Sequence, residues 1–499
     1  MAAQAQNVYT SLPKKQGTIS SSKAAQQVGA VVPPPPVSPQ PKAPSMNAPT
    51  PTQTAAPAAP PPAKKSPKKI LMIVGAIVAL IIVIILGWNL LSGGGKKDEV
   101  TITWWGLWED STIVSPLIEE YQSQNPGIKI NYVNQSKQDY RERLTSAFAK
   151  GDGPDIFRFH NTWVPMFISE LDTIPASVMA PAEFAETFYP VASSDLTSGV
   201  GLVGIPLEYD GLALFVNEDI FATAGKSVPQ TWDDLRQTAL ELTVKNEEGE
   251  IIQSGVALGR TENIDHWPEI LSLMMIQNGV NLTNPVGPLA EGALEYYTLF
   301  SKSDAVWDET LPSSTTSFSG GKLAMYFAPS WRVFEIRQQN PDLNFKTYPV
   351  PQLPKATQGQ QDIGFATYWV EGVWSRSEFT EEAWSFIKFL QTKSSLQALF
   401  QNASKLREFG EPYSRVDMAD LLANHPVLSP IITQAPNAQS WYLASRTFDG
   451  PTGINSLLIS YFEDAVNAVN DNQRADDALE TLASGISQVL SQYGLTRIR

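Results

Sequence analysis

Five short runs along this chain set an aromatic ring close to a carboxylate, amide or guanidinium group: Trp108-Glu109-Asp110, Asn161-Thr162-Trp163, Glu208-Tyr209-Asp210, Asp265-His266-Trp267 and Ser330-Trp331-Arg332. That pairing is the chemistry of sugar recognition. A sugar has apolar C–H faces and a rim of hydroxyls; an indole packs against the first, and carboxylates or amides hydrogen-bond the second. Trp105, Trp369 and Trp441 also fall near presumed strand ends or turns, whereas Trp232 and Trp384 sit inside helix-like blocks and read as core. Any one of the ligand candidates would serve equally well as core packing; as a set they favour a binding site.

The same carboxylates leave a catalytic reading open. Glu109-Asp110 and Glu208 to Asp210 could act as the acid and base of a surface glycoside hydrolase, which needs two carboxyls about 5 Å apart to retain configuration or about 6.5–9.5 Å to invert it. Other chemistries find less support. The three histidines, His160, His266 and His425, are well separated and form no ligand cluster, so neither a metal nor a cofactor is expected. His160 and His266 are candidates for a place near a cleft. Gly225-Lys226-Ser227 mimics the end of a phosphate loop, but Ile220 stands where that loop needs glycine. Cysteine is absent, which removes disulfides, thiolate catalysis and a lipid-modified cysteine together.

The elements that would position these residues begin at Val100. Val100 to Trp105 is a β-rich run, and Ile113, Val114, Leu117, Ile118 and Tyr121 recur at helical spacing behind a cap at Ser111 or Thr112. A second strand, a second helix marked by Tyr140, Leu144, Ala147 and Phe148, and a third strand at Asp155 to Phe159 follow. This β-α-β-α-β order predicts a parallel sheet with helices on its faces, whose ligands sit beyond the strands' C-terminal ends. The segments just after the first and third strands carry Trp108 and Trp163.

Ile70 to Leu91 is a run of 22 residues without charge. As a helix it would reach about 33 Å, enough to cross a bilayer. Residues 1–69 before it are rich in Pro and Ala and carry eight Lys and no acid; they read as a disordered basic tail. Lys64, Lys65, Lys68 and Lys69 outvote Lys96 and Lys97, so the tail is expected in the cytoplasm and everything past the span outside. A cleaved signal peptide fits less well, because the preceding segment is far too long. The chain's net charge is −15; with the eight tail lysines removed it is −23, which argues against nucleic acid as a partner. The expected organisation is a tail at 1–69, an anchor at 70–91, a linker at 92–99 and a large acidic body at 100–499, which is more than one core usually holds.

Several blocks of that body resemble the extracellular solute-binding proteins of sugar ABC transporters, the maltose-binding-like group. Phe148-Ala-Lys-Gly-Asp-Gly-Pro-Asp-Ile156 is the most specific match; Thr101 to Asp110, Gly204 to Leu235, Gly320 to Trp331 and Glu381 to Phe400 are similar to further family blocks in the family's order. The resemblance implies an α/β fold of two lobes with a central cleft: lobe 1 over about 100–208 and from about 365, lobe 2 over about 212–360 with part of the C-terminal helices. It implies that Trp331 stacks on ligand, that Trp441 and Tyr442 form an aromatic pair at the site, and that carbohydrate is captured without turnover and handed to ABC permease subunits. A sensor signalling through the span is a further alternative, weakened by a tail with no folded output domain.

Overall fold

The computed structural model describes residues 99–355, 357 and 359–495, all within Lys96–Arg499, one of the two units into which the chain divides. The tail and the apolar run at Ile70–Leu91 lie outside the described residues. Among those described, no helix is long and apolar enough to cross a membrane.

The opening β-α-β-α-β unit follows the sequence pattern. Strand β1 (Val100–Gly106) alternates, with Ile102 and Trp104 buried and Trp105 half-buried between them and Gly106. Helix α1 (Ser111–Gln124) buries Ile113, Val114, Leu117, Ile118 and Tyr121 on one stripe. Its cap is Asp110 rather than Ser111 or Thr112: the carboxylate accepts the Thr112 N–H at 2.9 Å and the Thr112 hydroxyl at 2.7 Å. Strand β2 (Ile128–Asn134), helix α2 (Tyr140–Lys150) and strand β3 (Ile156–His160) complete the unit, and β1 pairs in parallel with both β2 and β3. Every residue of β3 is buried, as expected of a strand covered on both faces. Asp155, just before it, accepts the Thr103 N–H at 2.7 Å, so the Gly-Asp-Gly-Pro-Asp turn fastens the sheet instead of facing a ligand.

A two-stranded ribbon, β4 (Thr197–Ser198) and β5 (Gly201–Leu202), precedes the second sheet. That sheet contains β6 (Ala213–Asn217), β7 (Val244–Lys245), β8 (Ile251–Val256), β9 (Leu323–Ala328) and β10 (Phe345–Tyr348) in the order β10-β6-β9-β8-β7. The chain then returns, and β11 (Trp369–Val373) adds antiparallel to β3, giving the first sheet the order β11-β3-β1-β2. Two sheets with helices on their faces therefore share one chain that passes between them more than once.

The crossing is tightly made. Ile205 and Glu371 exchange backbone hydrogen bonds at 3.0 Å, and the Leu212 N–H donates to the Phe365 carbonyl at 3.0 Å. A Cβ at Gly211 would collide with that same carbonyl, so only glycine lets the two segments approach. The C-terminal helices α3 (Ile454–Asn470) and α4 (Ala475–Gln492) tie in both parts. Asn455 Nδ2 donates to Thr162 Oγ1 at 2.8 Å just past β3, while Asn470 Nδ2 donates to the Gly259 carbonyl at 2.9 Å just past β8. Trp232 and Trp384 are core residues, and their indole N–H groups reach Gln277 Oε1 and Asp172 Oδ2.

Candidate ligand-binding site

A cavity of about 490 Å³ lies where the loops after β1, β3 and β9 meet the start of β11. Its wall carries the indoles of Trp108, Trp331 and Trp369, the rings of Phe334 and Phe448, and the carboxylates of Glu208, Glu269, Glu335 and Glu411. The position follows from the topology, since ligands of such sheets collect beyond the strands' C-terminal ends.

Three of these wall residues hold backbone conformations that side chains rarely adopt. Trp108, Arg446 and Phe448 have φ of 72°, 57° and 56°. Among the described residues only three other non-glycine positions lie in that region, Asp139, Ala305 and Asn472, and none of them lines the cavity. Strain of this kind, of order 1–3 kcal/mol each, clusters at ligand sites because the surrounding structure is built to impose it. Here it turns the Trp108 ring outward, 38 % exposed, with Trp369 and Phe448 at 5.7 and 5.8 Å.

Trp369 sits at the centre of an aromatic cluster. His160 and Trp163 meet it edge-on at 5.1 and 5.5 Å. His160 is held by Thr162 at 2.8 Å and Thr367 at 2.9 Å, and burial pushes its pKa down to about 3, so it presents a neutral ring. Trp331 follows the turn after β9, with the Arg332 guanidinium 4.6 Å from its ring centre and His266 at 5.6 Å. Arg332 is itself buried and fixed by Asp265 at 3.1 Å and by Glu335, so it holds the ring's inner face and leaves the rest for the cavity.

Beneath the cavity lies a buried charge network. Arg158 pairs with Glu109 through Nη1 and with Glu371 through Nε at 2.7 Å, while Glu208 lies 3.6 Å away. Arg407 pairs with Glu411 at 2.7 Å. Oxygens of Glu109, Glu208 and Glu411 all come within 4.8 Å of one another. Burial raises the carboxyls of Glu109 and Glu208 above their usual range, against the pull of Arg158.

Of the fifteen residues singled out in the sequence, the structure brings Trp108, Glu208, Trp331 and Trp369 onto one cavity wall. Glu109 stands behind it on Arg158, and Arg332 stands behind Trp331. Asp110 caps α1, and Trp105 is half-buried on β1. Trp163, Tyr209 and Trp267 are buried, Tyr209 against Tyr189 at 4.9 Å. Asp210 is engaged by the turn that carries Trp331. Asn161, Trp441 and Tyr442 line a different cavity, of about 460 Å³, where Asn161 donates to Asp195 at 2.8 Å. Wall residues that sequence reasoning missed include Lys137, Glu269, Phe334, Arg407, Glu411, Ser445 and Phe448. Arg407 to Glu411 and Ser445 to Phe448 do mix charge with aromatics, the signal that flagged the other runs, but no strand end announced them.

Two α/β sheets joined by crossing segments, with a lined cavity at the strand ends, define a two-lobe binding protein. A family model described as "Bacterial extracellular solute-binding protein" matches residues 106–396, and the chain belongs to that family. A relative from Brucella abortus (strain 2308) is 24 % identical over 349 residues, 67 % of this chain and 83 % of its own length. Among solved structures, a cyclo/maltodextrin-binding protein complexed with maltotetraose superposes with a TM-score of 0.63 at 18 % identity, covering 78 % of this chain and 97 % of its own. The sugar-binding protein MalE of Xanthomonas citri does so with a TM-score of 0.63 at 18 % identity, covering 79 % and 98 %. At that identity both speak to the fold.

Proposed function

We propose that this chain captures a carbohydrate outside the cytoplasm and delivers it to an ABC importer, held to the membrane by residues 70–91 with the N-terminus inside. The observation that carries the proposal is the grouping of Trp108, Trp331 and Trp369 with the Glu208 and Glu411 carboxylates around one cavity of about 490 Å³. Indoles supply flat apolar faces for C–H surfaces, and the carboxylates accept from hydroxyls. The names of structural neighbours, which bind maltotetraose, tagatose or mannobiose, lend support to sugar as the ligand class. Closure of the two lobes over the ligand would give the transporter a form to read. The lobes divide at the crossing near residues 208–212 and 360–365.

The hydrolase alternative keeps one point in its favour, the proximity of the Glu109, Glu208 and Glu411 oxygens, which suits a retaining mechanism. Against it, Arg158 already pairs with Glu109, and the family is one of binding proteins.

A thermal-shift screen of the detergent-solubilised full chain against mono- and oligosaccharides tests the proposal, because a ligand that binds only the folded state raises its melting temperature. A carbohydrate should raise it and be recovered uncleaved; a panel with no effect would overturn the reading, and cleavage lost in Glu208→Gln would favour the hydrolase. Mass analysis of membrane-extracted protein should find residues 1–69 still attached; a mature N-terminus near Ser92 would remove the anchor.

A further inference from the structure

We infer, resting on the carbohydrate reading above, that the ligand of this cleft carries a protonated amine: Glu208 and Glu269 are set to receive an amino sugar, not a neutral one. Glu208 is only 8 % exposed, yet among the described residues no donor hydrogen-bonds its carboxylate. Its nearest cation, Arg158 at 3.6 Å, is already shared with Glu109 and Glu371. Glu269 is 2 % exposed. Its Oε1 accepts the Ser445 N–H at 2.6 Å and hydroxyl at 2.8 Å, while its Oε2 has no partner. Both residues line the cavity. Glu208, a buried carboxylate on the cavity wall with acceptor capacity unused, calls for a donor from the ligand, and Glu269 Oε2 adds a second unpartnered oxygen just behind that wall.

Charge, and not only hydrogen bonding, would be left uncompensated were all the carboxyls of this network ionised. Glu109, Glu208, Glu371 and Glu411 share two guanidinium groups, Arg158 and Arg407. His266 Nδ1 lies 3.7 Å from Glu269 Oε1, and its ring brings no full positive charge there. Its Nε2 accepts from Arg332 Nε at 2.9 Å and burial lowers its pKa, so the ring is neutral with its proton on Nδ1. A neutral sugar would satisfy lone pairs and leave the proton on Glu208 favoured; an ammonium supplies three donors and the charge that lets this carboxyl ionise. A cation is already seated at the cavity's aromatic mouth. Lys137 Nζ lies 5.6 Å from the Trp108 ring centre and 5.1 Å from that of Phe448. Lys137 is exposed, so a ligand ammonium can take its place between the rings.

A proton count sharpens the idea. Arg158, Arg407, Glu411, Glu109 and Glu371 face Glu208, and burial raises its pKa well above the usual carboxylate range. An ammonium arriving beside it favours the carboxylate, so binding should release protons.

The test is calorimetric titration of the full chain in detergent at slightly acidic pH with the β-1,4 trimer of glucosamine, its fully N-acetylated counterpart and maltotriose. The first two share rings and linkage and differ at the nitrogens, ammonium in one and acetamide in the other, and the Glu208→Gln comparison separates charge from the bulk of the acetyl group. The amine trimer should bind at least about tenfold tighter than the acetylated one, equivalent to about 1.4 kcal/mol. Glu208→Gln should shrink that ratio to about threefold or less. Titrations in buffers of different ionisation enthalpy should show proton release for the amine trimer alone. Should Glu208→Gln fail to fold, Glu269→Gln provides the same comparison. Equal or tighter binding of the acetylated trimer, maltotriose or another neutral sugar overturns this inference and leaves the carbohydrate reading standing. A ratio unchanged in both variants overturns the role given to these carboxylates. Failure of every carbohydrate to bind sinks the carbohydrate reading, and this inference with it.

Discussion

The Asp210 carboxylate and Ser330 clamp the first crossing segment to the turn that follows β9. Both carboxylate oxygens accept the Ser330 N–H at 3.1 Å, and Oδ2 also accepts the Ser330 hydroxyl at 2.8 Å. Oδ1 further accepts the Gly211 N–H at 2.7 Å. Asp210 lies on the segment leading into β6, and Ser330 on the turn that delivers Trp331 to the cavity. One buried acid thus fixes where a cavity-lining indole emerges.

Burial pushes the Asp210 pKa up to about 7, against the hydrogen bonds that favour the charged form. A carboxyl near 4 in the unfolded chain and near 7 in the folded one binds its proton more tightly when folded. Its contribution to stability is therefore complete below about pH 4 and lost as pH rises toward 7, by a few kcal/mol in all. Urea denaturation of wild type and Asp210→Asn across pH 4–7 should show the variant losing less stability over that window. Parallel pH profiles would show that Asp210 does not titrate there.

Arg158 is the shared counter-ion of Glu109, Glu208 and Glu371 and is 3 % exposed. Removing one partner of a buried pair leaves uncompensated charge, so Arg158→Met should cost about 3–5 kcal/mol. The deficit should be larger at pH 8 than at pH 5, because the raised carboxyls of Glu109 and Glu208 take up protons as pH falls. A loss below about 1 kcal/mol, or one that shrinks at high pH, would contradict this account of the network.

The opening unit of the scaffold was legible from residues alone, while the two-lobe plan came from the resemblance. The parallel unit from Val100 to His160 rests on local signals: alternation in β1, a helical stripe in α1 and turn chemistry at Gly151 to Asp155. The site was less legible, because it is assembled from distant segments. Trp108 and Trp331 could be placed by the strand that precedes each. Tyr209 could not be told from a ligand residue, since an aromatic beside two acids reads the same whether it faces a cleft or, as here, packs on Tyr189. Trp441 and Tyr442 were assigned by resemblance, and the structure sets them on another cavity. The left-handed backbone at Arg446 and Phe448 has no sequence signature outside glycine and asparagine.

Trp108 offers a separation of stability from binding. Glycine relieves the cost of φ at 72° and removes an indole that is 38 % exposed. Trp108→Gly should change folding stability by no more than about 1 kcal/mol, since relieved strain offsets lost packing. Affinity for the best carbohydrate should fall at least about fivefold, roughly 1 kcal/mol. A variant that is much less stable and binds normally would place Trp108 in the structure and not in the site.

The most direct test of a carbohydrate cleft is a titration of the best-binding saccharide against wild type and Trp331→Ala, with Trp163→Ala as a buried control. Trp331 is half-buried on the cavity wall, whereas Trp163 is fully buried. By analogy with bases stacked on aromatic side chains, loss of the Trp331 face should cost about 1–3 kcal/mol of binding, roughly 5- to 150-fold in affinity. Its unliganded stability should change far less than the roughly 3–5 kcal/mol expected for truncating Trp163. Wild-type affinity in Trp331→Ala, together with a loss of several kcal/mol in unliganded stability, would make Trp331 a core residue and contradict the placement of the site.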